Sequence, residues 1–244
     1  LPSFSLDACD EGELDGFTTF DLTQVQSQIA NTVPANSTIT FYQSLDNAFA
    51  ETNPLPLSFE NTEANFQTIF ANVTSNGNEC FAVTNVDLSV LYTPQIEADQ
   101  TLDYCLNNYP ETITLYGGVL NDSPSNYYYQ WLLNGIDTGV NTSFIDINEI
   151  GTYTVIITDP NGCSNSRNII VNPIEAPIIE SIDYTDFSNN NTVTINLENT
   201  GQFSFAIDGQ AYQNSNTFTN VSAGLHTVYV TEINGCQTIE QTIV

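Results

Sequence analysis

The sequence predicts an all-β fold of tandem sandwich domains, and three observations carry that expectation. Short runs of alternating apolar and polar residues, bounded by Gly, Pro, Asn and Asp, recur along the chain, while helical periodicity is nearly absent. One phrase is written twice at identical spacing, GTYTVIITDPNGC over residues 151–163 and GLHTVYVTEINGC over 224–236, and a looser form, QTIFANVTSNGNEC, ends at Cys80. The length of 244 residues suits two or three domains of about 100 residues each. Three cysteine-terminated phrases favour three, with boundaries at 1–92, 93–175 and 176–244.

In chain order, STITFYQSL, FQTIFANV, CFAVTNVDLSVL, YYYQWLLNG, GTYTVIITD, RNIIVNP, NTVTINL, FSFAIDG, HTVYVTE and QTIEQTIV read as strands. Only DLTQVQSQIAN reads as a helix, with Asp21 as its acidic N-cap. Proline interrupts strand text near LYTPQIEAD and VNPIEAPII, which places linkers there. The middle domain is the most legible and resembles an immunoglobulin-like or PKD-like module. Its Trp131 sits where such sandwiches bury a strand tryptophan, and EIGTYTV sets Glu149, Gly151 and Tyr153 in the register of a tyrosine corner. Val155 stands where antibody domains carry a cysteine, so their inter-sheet bridge cannot form here. DPNGC reads as a hairpin turn in which Asn-Gly supplies positive φ angles. In the third domain His226 takes the tyrosine position and reads as a structural histidine.

One basic side chain, Arg167, stands against 29 acidic ones, for a formal net charge of -28. Phosphate backbones and anionic bilayers would be repelled, which excludes nucleic acid and membrane surfaces as partners. The apolar share of 41% is that of a folded protein and not of an acidic disordered tail. No run of about 18 apolar residues occurs, so no membrane insertion is expected. The chain opens and closes in strand text without a signal peptide and reads as a mature or excised piece of something longer.

Five cysteines, no methionine and abundant Asn, Thr and Ser suit an exported protein. Cys9 with Cys80, and Cys105 with Cys163, would each bracket one domain from first strand to last. Loops of that length would contribute about 4 kcal/mol each in the chain-entropy model. Five cysteines allow many pairings, so this connectivity is one among several. Cys236 has no evident partner in its own domain and is expected as a buried free thiol or as half of a bridge outside the segment.

Two clusters are candidate sites. Asp7, Asp10, Glu11, Asp15 and Asp21 in DACDEGELDGFTTFD, read as an acidic N-terminal loop of a divergent first domain, with Asp46 returning from SLDNAFAE, offer calcium the oxygen ligands it takes, although the EF-hand pattern is missing. The competing reading is a solvated acidic edge that discourages strand pairing. In YYYQW, Tyr127 and Tyr128 offer a sugar-stacking platform, while alternation sends Tyr129 and Trp131 to the core. No carboxylate pair across a cleft, no G-x-S-x-G phrase beside His226 and no phosphate loop mark a catalytic centre, so no enzyme activity is expected.

Taken in series, CDEGELDGFTTFDLT, ITFYQSLDNAFAETNPLPLSFENT, YQWLLNG with GTYTVIITDPNGC, and AGLHTVYVTEINGC resemble the tandem modules of large surface proteins in Bacteroidetes. The likeness is to gliding-motility adhesins and other cargo of the type IX secretion system. GLHTVYVTEINGCQTIEQTIV is similar to the module that precedes a type B C-terminal sorting domain in that family. The resemblance implies export by the type IX machinery, attachment at or release from the outer-membrane surface, and no catalytic residues. It implies a rod of sandwiches that serves as stalk or adhesin, with surface glycans or other adhesive targets as partners. A second reading makes the domains carbohydrate-binding or spacer modules of a secreted polysaccharide-degrading enzyme.

Overall fold

Period-two alternation becomes strand wherever the sequence shows it strongly, because each such run can bury one face and leave the other wet. The structure is a computed structural model that describes residues 1–12, 14–75, 81–120, 122–185 and 191–244, and in it the chain is all-β with Ig-like sandwiches. The first stretch holds β1 (Phe4–Asp10), β2 (Thr19–Asp21), α1 (Thr23–Ala30), β3 (Ser37–Tyr42), α2 (Leu45–Ala50), β4 (Ser58–Glu60), β5 (Phe66–Ser75) and β6 (Phe81–Tyr92). One sheet has the order β1-β6-β5-β3, with β1 parallel to β6, and β2 pairs with β4. Leu6, Phe20, Val25, Ile29, Phe41, Ile69 and Leu88 meet in its core.

The second stretch holds β7 (Gln100–Cys105), β8 (Ile113–Tyr116), β9 (Tyr128–Leu133), β10 (Ile136–Asp137), β11 (Phe144–Ile147), β12 (Gly151–Thr158) and β13 (Ser164–Ile174). Its larger sheet has the order β10-β9-β12-β13-β7, again with the first strand, β7, parallel to the last, β13; β8 and β11 form a ribbon. The third holds β14 (Ile179–Tyr184), β15 (Thr192–Leu197), β16 (Phe203–Ile207), β17 (Thr217–Thr219), β18 (His226–Glu232) and β19 (Thr238–Ile243). Sheets β14-β15-β17 and β16-β18-β19 supply a core of Val193, Ile195, Phe205, Phe218, Val228 and Val230. By contact density the chain divides into two compact units, residues 1–96, 119–128 and 156–165, and residues 97–118, 129–155 and 166–244.

All ten expected strands are present. Two features of the first stretch were not expected. β1 runs through text that looked like an acidic loop; Leu6 and Asp10 turn inward while Asp7 stays exposed, and the acids masked that alternation. α2 exists because Ser44 accepts the Asn47 N–H at 3.2 Å, a side-chain N-cap, and Asp46 sits in the first turn where the helix dipole favours it. At α1, Asp21 lies one position outside the geometric N-cap, Leu22. Its Oδ1 still accepts the Thr23 N–H at 3.1 Å and the Thr23 hydroxyl at 2.6 Å.

The Ig-like signals fall where the sequence put them. Trp131 is fully buried and its Nε1 donates to the Thr142 carbonyl at 2.9 Å. The Tyr153 hydroxyl donates to the Glu149 carbonyl at 3.0 Å, which is the tyrosine corner, and burial with the nearby Glu149 charge pushes its pKa up to about 12. Asn134 and Gly135, at φ 50° and 81°, make the tight turn from β9 to β10. The single Lys or Arg side chain is spent inside: buried Arg167 reaches Glu97 at 2.5 Å and Gln100 at 3.1 Å, and a Cβ at Gly118 would collide with its Nη1. Because Trp131 fills the sandwich and carries a satisfied N–H, Trp131→Ala should cost about 3–5 kcal/mol by urea unfolding; a loss below ~1 kcal/mol would show that it is not a core anchor.

Candidate functional site

Cysteine placement is the most site-like feature of the chain. Cys9 bonds to Cys163 with Cα atoms 5.6 Å apart, and Cys105 bonds to Cys236 at 5.1 Å, across sequence separations of 154 and 131. The expected pairings of Cys9 with Cys80 and of Cys105 with Cys163 are therefore corrected. Cys236 is neither a free thiol nor half of an external bridge; Cys80 lies outside the described residues. The bracketing argument failed because it assumed that each domain closes on itself. Cys9 and Cys105 instead hold matching places near the C-terminal ends of the parallel first strands, opposite Leu91 and Ile174. Cys9 and Cys163 belong to the first compact unit, Cys105 and Cys236 to the second.

The repeated phrase is the device that presents the other two cysteines. Asp159 Oδ1 accepts the N–H of Asn161 at 2.9 Å and of Cys163 at 2.8 Å. At the same spacing, Glu232 Oε2 accepts the N–H of Asn234 at 2.8 Å and of Cys236 at 3.4 Å. Each turn is closed by its glycine, Gly162 N–H to the Asp159 carbonyl and Gly235 N–H to the Glu232 carbonyl, both at 3.1 Å. The left-handed φ belongs to glycine alone, 95° at Gly162 and 88° at Gly235, and not to an Asn-Gly pair as expected. An acid four residues before each cysteine thus satisfies the donors that a sharp turn would strand, and holds the cysteine backbone in place.

The expected acid cluster is not gathered. Asp10, 1% exposed, accepts the Gly16 N–H at 2.8 Å; Asp15 accepts the Phe17 N–H at 3.0 Å; Asp21 and Asp46 serve the two helix starts; Asp7 and Glu11 are exposed. Among the described residues no three His, Cys, Asp or Glu side chains stand close enough to share a metal ion. The two tyrosines also part company. Tyr128 is 69% exposed at the start of β9, whereas Tyr127 lines a groove of about 470 Å³ with Leu14, Tyr92, Thr93, Leu120 and Asp122. Sequence reasoning missed Tyr92, Leu120 and Asp122 because three separate segments build that groove and none carries a local signal.

Asp208, His226 and Ser222 stand in the order of a catalytic triad, yet the bonds are those of a clamp. His226 Nδ1 faces Asp208 Oδ2 at 2.6 Å, and Nε2 faces the Ser222 carbonyl at 2.8 Å, closer than the Ser222 hydroxyl at 3.4 Å. With an acceptor at each nitrogen, the imidazolium form donates to both. The Asp208 bond and then the Ser222 carbonyl hold its pKa above the ordinary 6.5, and Asp208 is held below its own ordinary value by His226.

Residues 5–94 match the family model described as the Flavobacterium inter-domain disulphide bond domain. A comparison with curated proteins found no match. Among solved structures the chain is similar to Sidekick-1 immunoglobulin domains 1–4, at 11% identity over 99% of this chain and 73% of that one with a TM-score of 0.40. It is similar to extracellular domains 3–5 of Drosophila OTK, at 10% identity over 98% and 92% with a TM-score of 0.38. It is also similar to the insect immune protein hemolin, at 10% identity over 98% and 73% with a TM-score of 0.33.

Two outcomes are expected. Glu232→Ala removes the acceptor of two turn N–H groups, that of Cys236 buried, and should cost about 1–3 kcal/mol in urea unfolding, with slower closure of Cys105–Cys236 on reoxidation; unchanged closure would deny the turn its presenting role. In a proton NMR titration the His226 ring should have its midpoint above 6.5, and Asp208→Asn should lower it. The raised value means that the clamp's stabilisation is complete below 6.5 and is lost as pH rises through the folded-state midpoint. A midpoint at or below 6.5 would refute the clamp.

Proposed function

We propose that the chain is a non-catalytic, extracellular stalk or adhesin segment of a type IX secreted bacterial surface protein. Its two disulfides are the single observation that carries this reading. Bonds of this kind persist in oxidising compartments, which suits export and a place at the cell surface. The flavobacterial family model over residues 5–94 and the resemblance of the repeated phrases support a bacterial, type IX-exported origin. The type IX machinery would then be the partner during export, and no helix among the described residues is long and apolar enough to cross a membrane.

The mechanical content follows from connectivity alone. The loops interleave, since Cys105 lies within the span closed by Cys9–Cys163 and Cys163 lies within the span closed by Cys105–Cys236. Three stretches of backbone, 9–105, 105–163 and 163–236, therefore run in parallel between the two crosslinks, and the shortest sets how far they can separate. Fully unfolded by a pull on both ends, the crosslinked part reaches roughly 200 Å, against roughly 800 Å once reduced, at about 3.5 Å per residue. An oxidised stalk would thus lose its folds under load and still refuse to lengthen fully.

Single-molecule pulling between handles at residues 1 and 244 tests this. The fully unfolded contour between the handles should rise about threefold on adding a reductant, from roughly 260 Å to roughly 850 Å at about 3.5 Å per residue; an equal contour with and without reductant would overturn the load-limiting stalk.

A further inference from the structure

We infer that the groove walled by Leu14, Tyr92, Leu120 and Tyr127 binds a neutral oligosaccharide. This deepens the adhesin reading by naming its ligand class, and it rests on that reading for its biological sense. The groove lies wholly within the first compact unit, and its volume of about 470 Å³ falls in the range of about 300–1,000 Å³ that small-ligand clefts occupy.

Its two tyrosines are held in place. Tyr92, at the end of β6, is 47% exposed and its hydroxyl donates to Asn65 Oδ1. Tyr127 is half-buried and its hydroxyl donates to Asp122 Oδ2 at 2.9 Å. With both hydroxyls taken by protein partners, the rings offer a ligand mainly their carbon surface, which is what the C–H face of a pyranose packs against. Leu14 and Leu120 extend that surface, and Thr93, Gln95 and Asp122 place polar groups beside it, the mixture that sugar hydroxyls need.

Charge selects against acidic ligands. The Ser123 N–H, then Tyr127 and Asn126, hold the Asp122 carboxyl below the ordinary carboxylate range, so the groove keeps its negative charge near neutral pH. With a net charge of -28 on the whole chain, uronates, sulfated glycans and phosphates would be repelled. Backbone pairing selects against a peptide added as an extra strand. The Leu120 N–H already donates to the Gln95 carbonyl at 2.8 Å, and Ile96 pairs with Val119, so these donors beside the groove are spent.

Isothermal titration calorimetry of the whole chain against neutral gluco-, manno- and galacto-oligosaccharides, and against oligomers of uronic acids, tests the assignment. Saturable binding of at least one neutral series is expected, with no heat from the acidic one. Tyr92→Ala and Tyr127→Ala should each weaken binding about tenfold, the scale of one lost aromatic contact, and Tyr128→Ala should leave it unchanged. Leu120→Arg, at a 42% exposed position, should block the groove without lowering the melting temperature. Absence of binding to every neutral series, binding that survives both Tyr127→Ala and Leu120→Arg, or a preference for uronates would each overturn the site. Those failures leave the reductant-dependent extension untouched, and a failed extension test leaves glycan binding untouched, so the two readings fall separately.

Discussion

Everything else in this chain is arranged around two interleaved covalent closures. A loop of 154 residues and one of 131 each remove roughly 5 kcal/mol of unfolded-chain entropy in the chain-entropy model. The two do not simply add, because the second closes within a chain already shortened by the first. Interleaving matters more than the sum. Neither loop can open without breaking a bond, and residues 105–163 lie inside both. The sandwich that contains Trp131 and the tyrosine corner is built largely from that doubly closed stretch, so its hydrophobic core forms in the part of the chain with the least freedom to lose.

The acidity of the sequence has a local use that a net charge conceals. With Arg167 buried on Glu97, the carboxylates, exposed and buried alike, have almost no cations to pair with, and they turn to backbone N–H groups instead. Asp10, Asp15, Asp21, Asp122, Asp137, Asp159 and Glu232 each accept at least one such donor. For Asp122 and Asp137 these bonds hold the carboxyl below its ordinary value, and for Asp21 the Thr23 hydroxyl and then the Thr23 N–H do so. Their contribution is therefore present above the unfolded-state value and is lost as pH falls through the folded-state one.

That economy explains what was legible in the sequence. The cores were readable because alternation and the Trp131 and Tyr153 signals are local, and each of the ten expected strands obeyed them. The acid-rich opening was misread for the opposite reason. Asp7 and Asp10 sit on opposite faces of β1, one wet and one spent on the Gly16 N–H, and composition alone cannot separate those fates. The cysteine pairing depended on which strand lies beside which, and a parallel first strand leaves no mark in its own text. The repeated NGC phrase did announce two fixed cysteines, but it was silent on their partners.

The groove and the closures meet at one place in the first compact unit. Leu91 stands opposite Cys9 in the parallel pairing of β1 with β6, and Tyr92 is the next residue, opposite Asp10. Asp10 is itself pinned to Gly16, in the loop that supplies Leu14. The disulfide partner Cys163 belongs to the same unit, as does the segment 119–128 that brings Leu120, Asp122 and Tyr127. One wall of the groove therefore lies beside a crosslinked strand. Binding energy for a weak, shallow ligand is easily consumed by ordering a mobile wall, so a covalent anchor at Cys9, on the strand paired with that of Tyr92, preserves affinity that the groove's few contacts could not otherwise hold. A bond that limits extension once the folds give way is then also a bond that steadies the contact surface while the chain is folded.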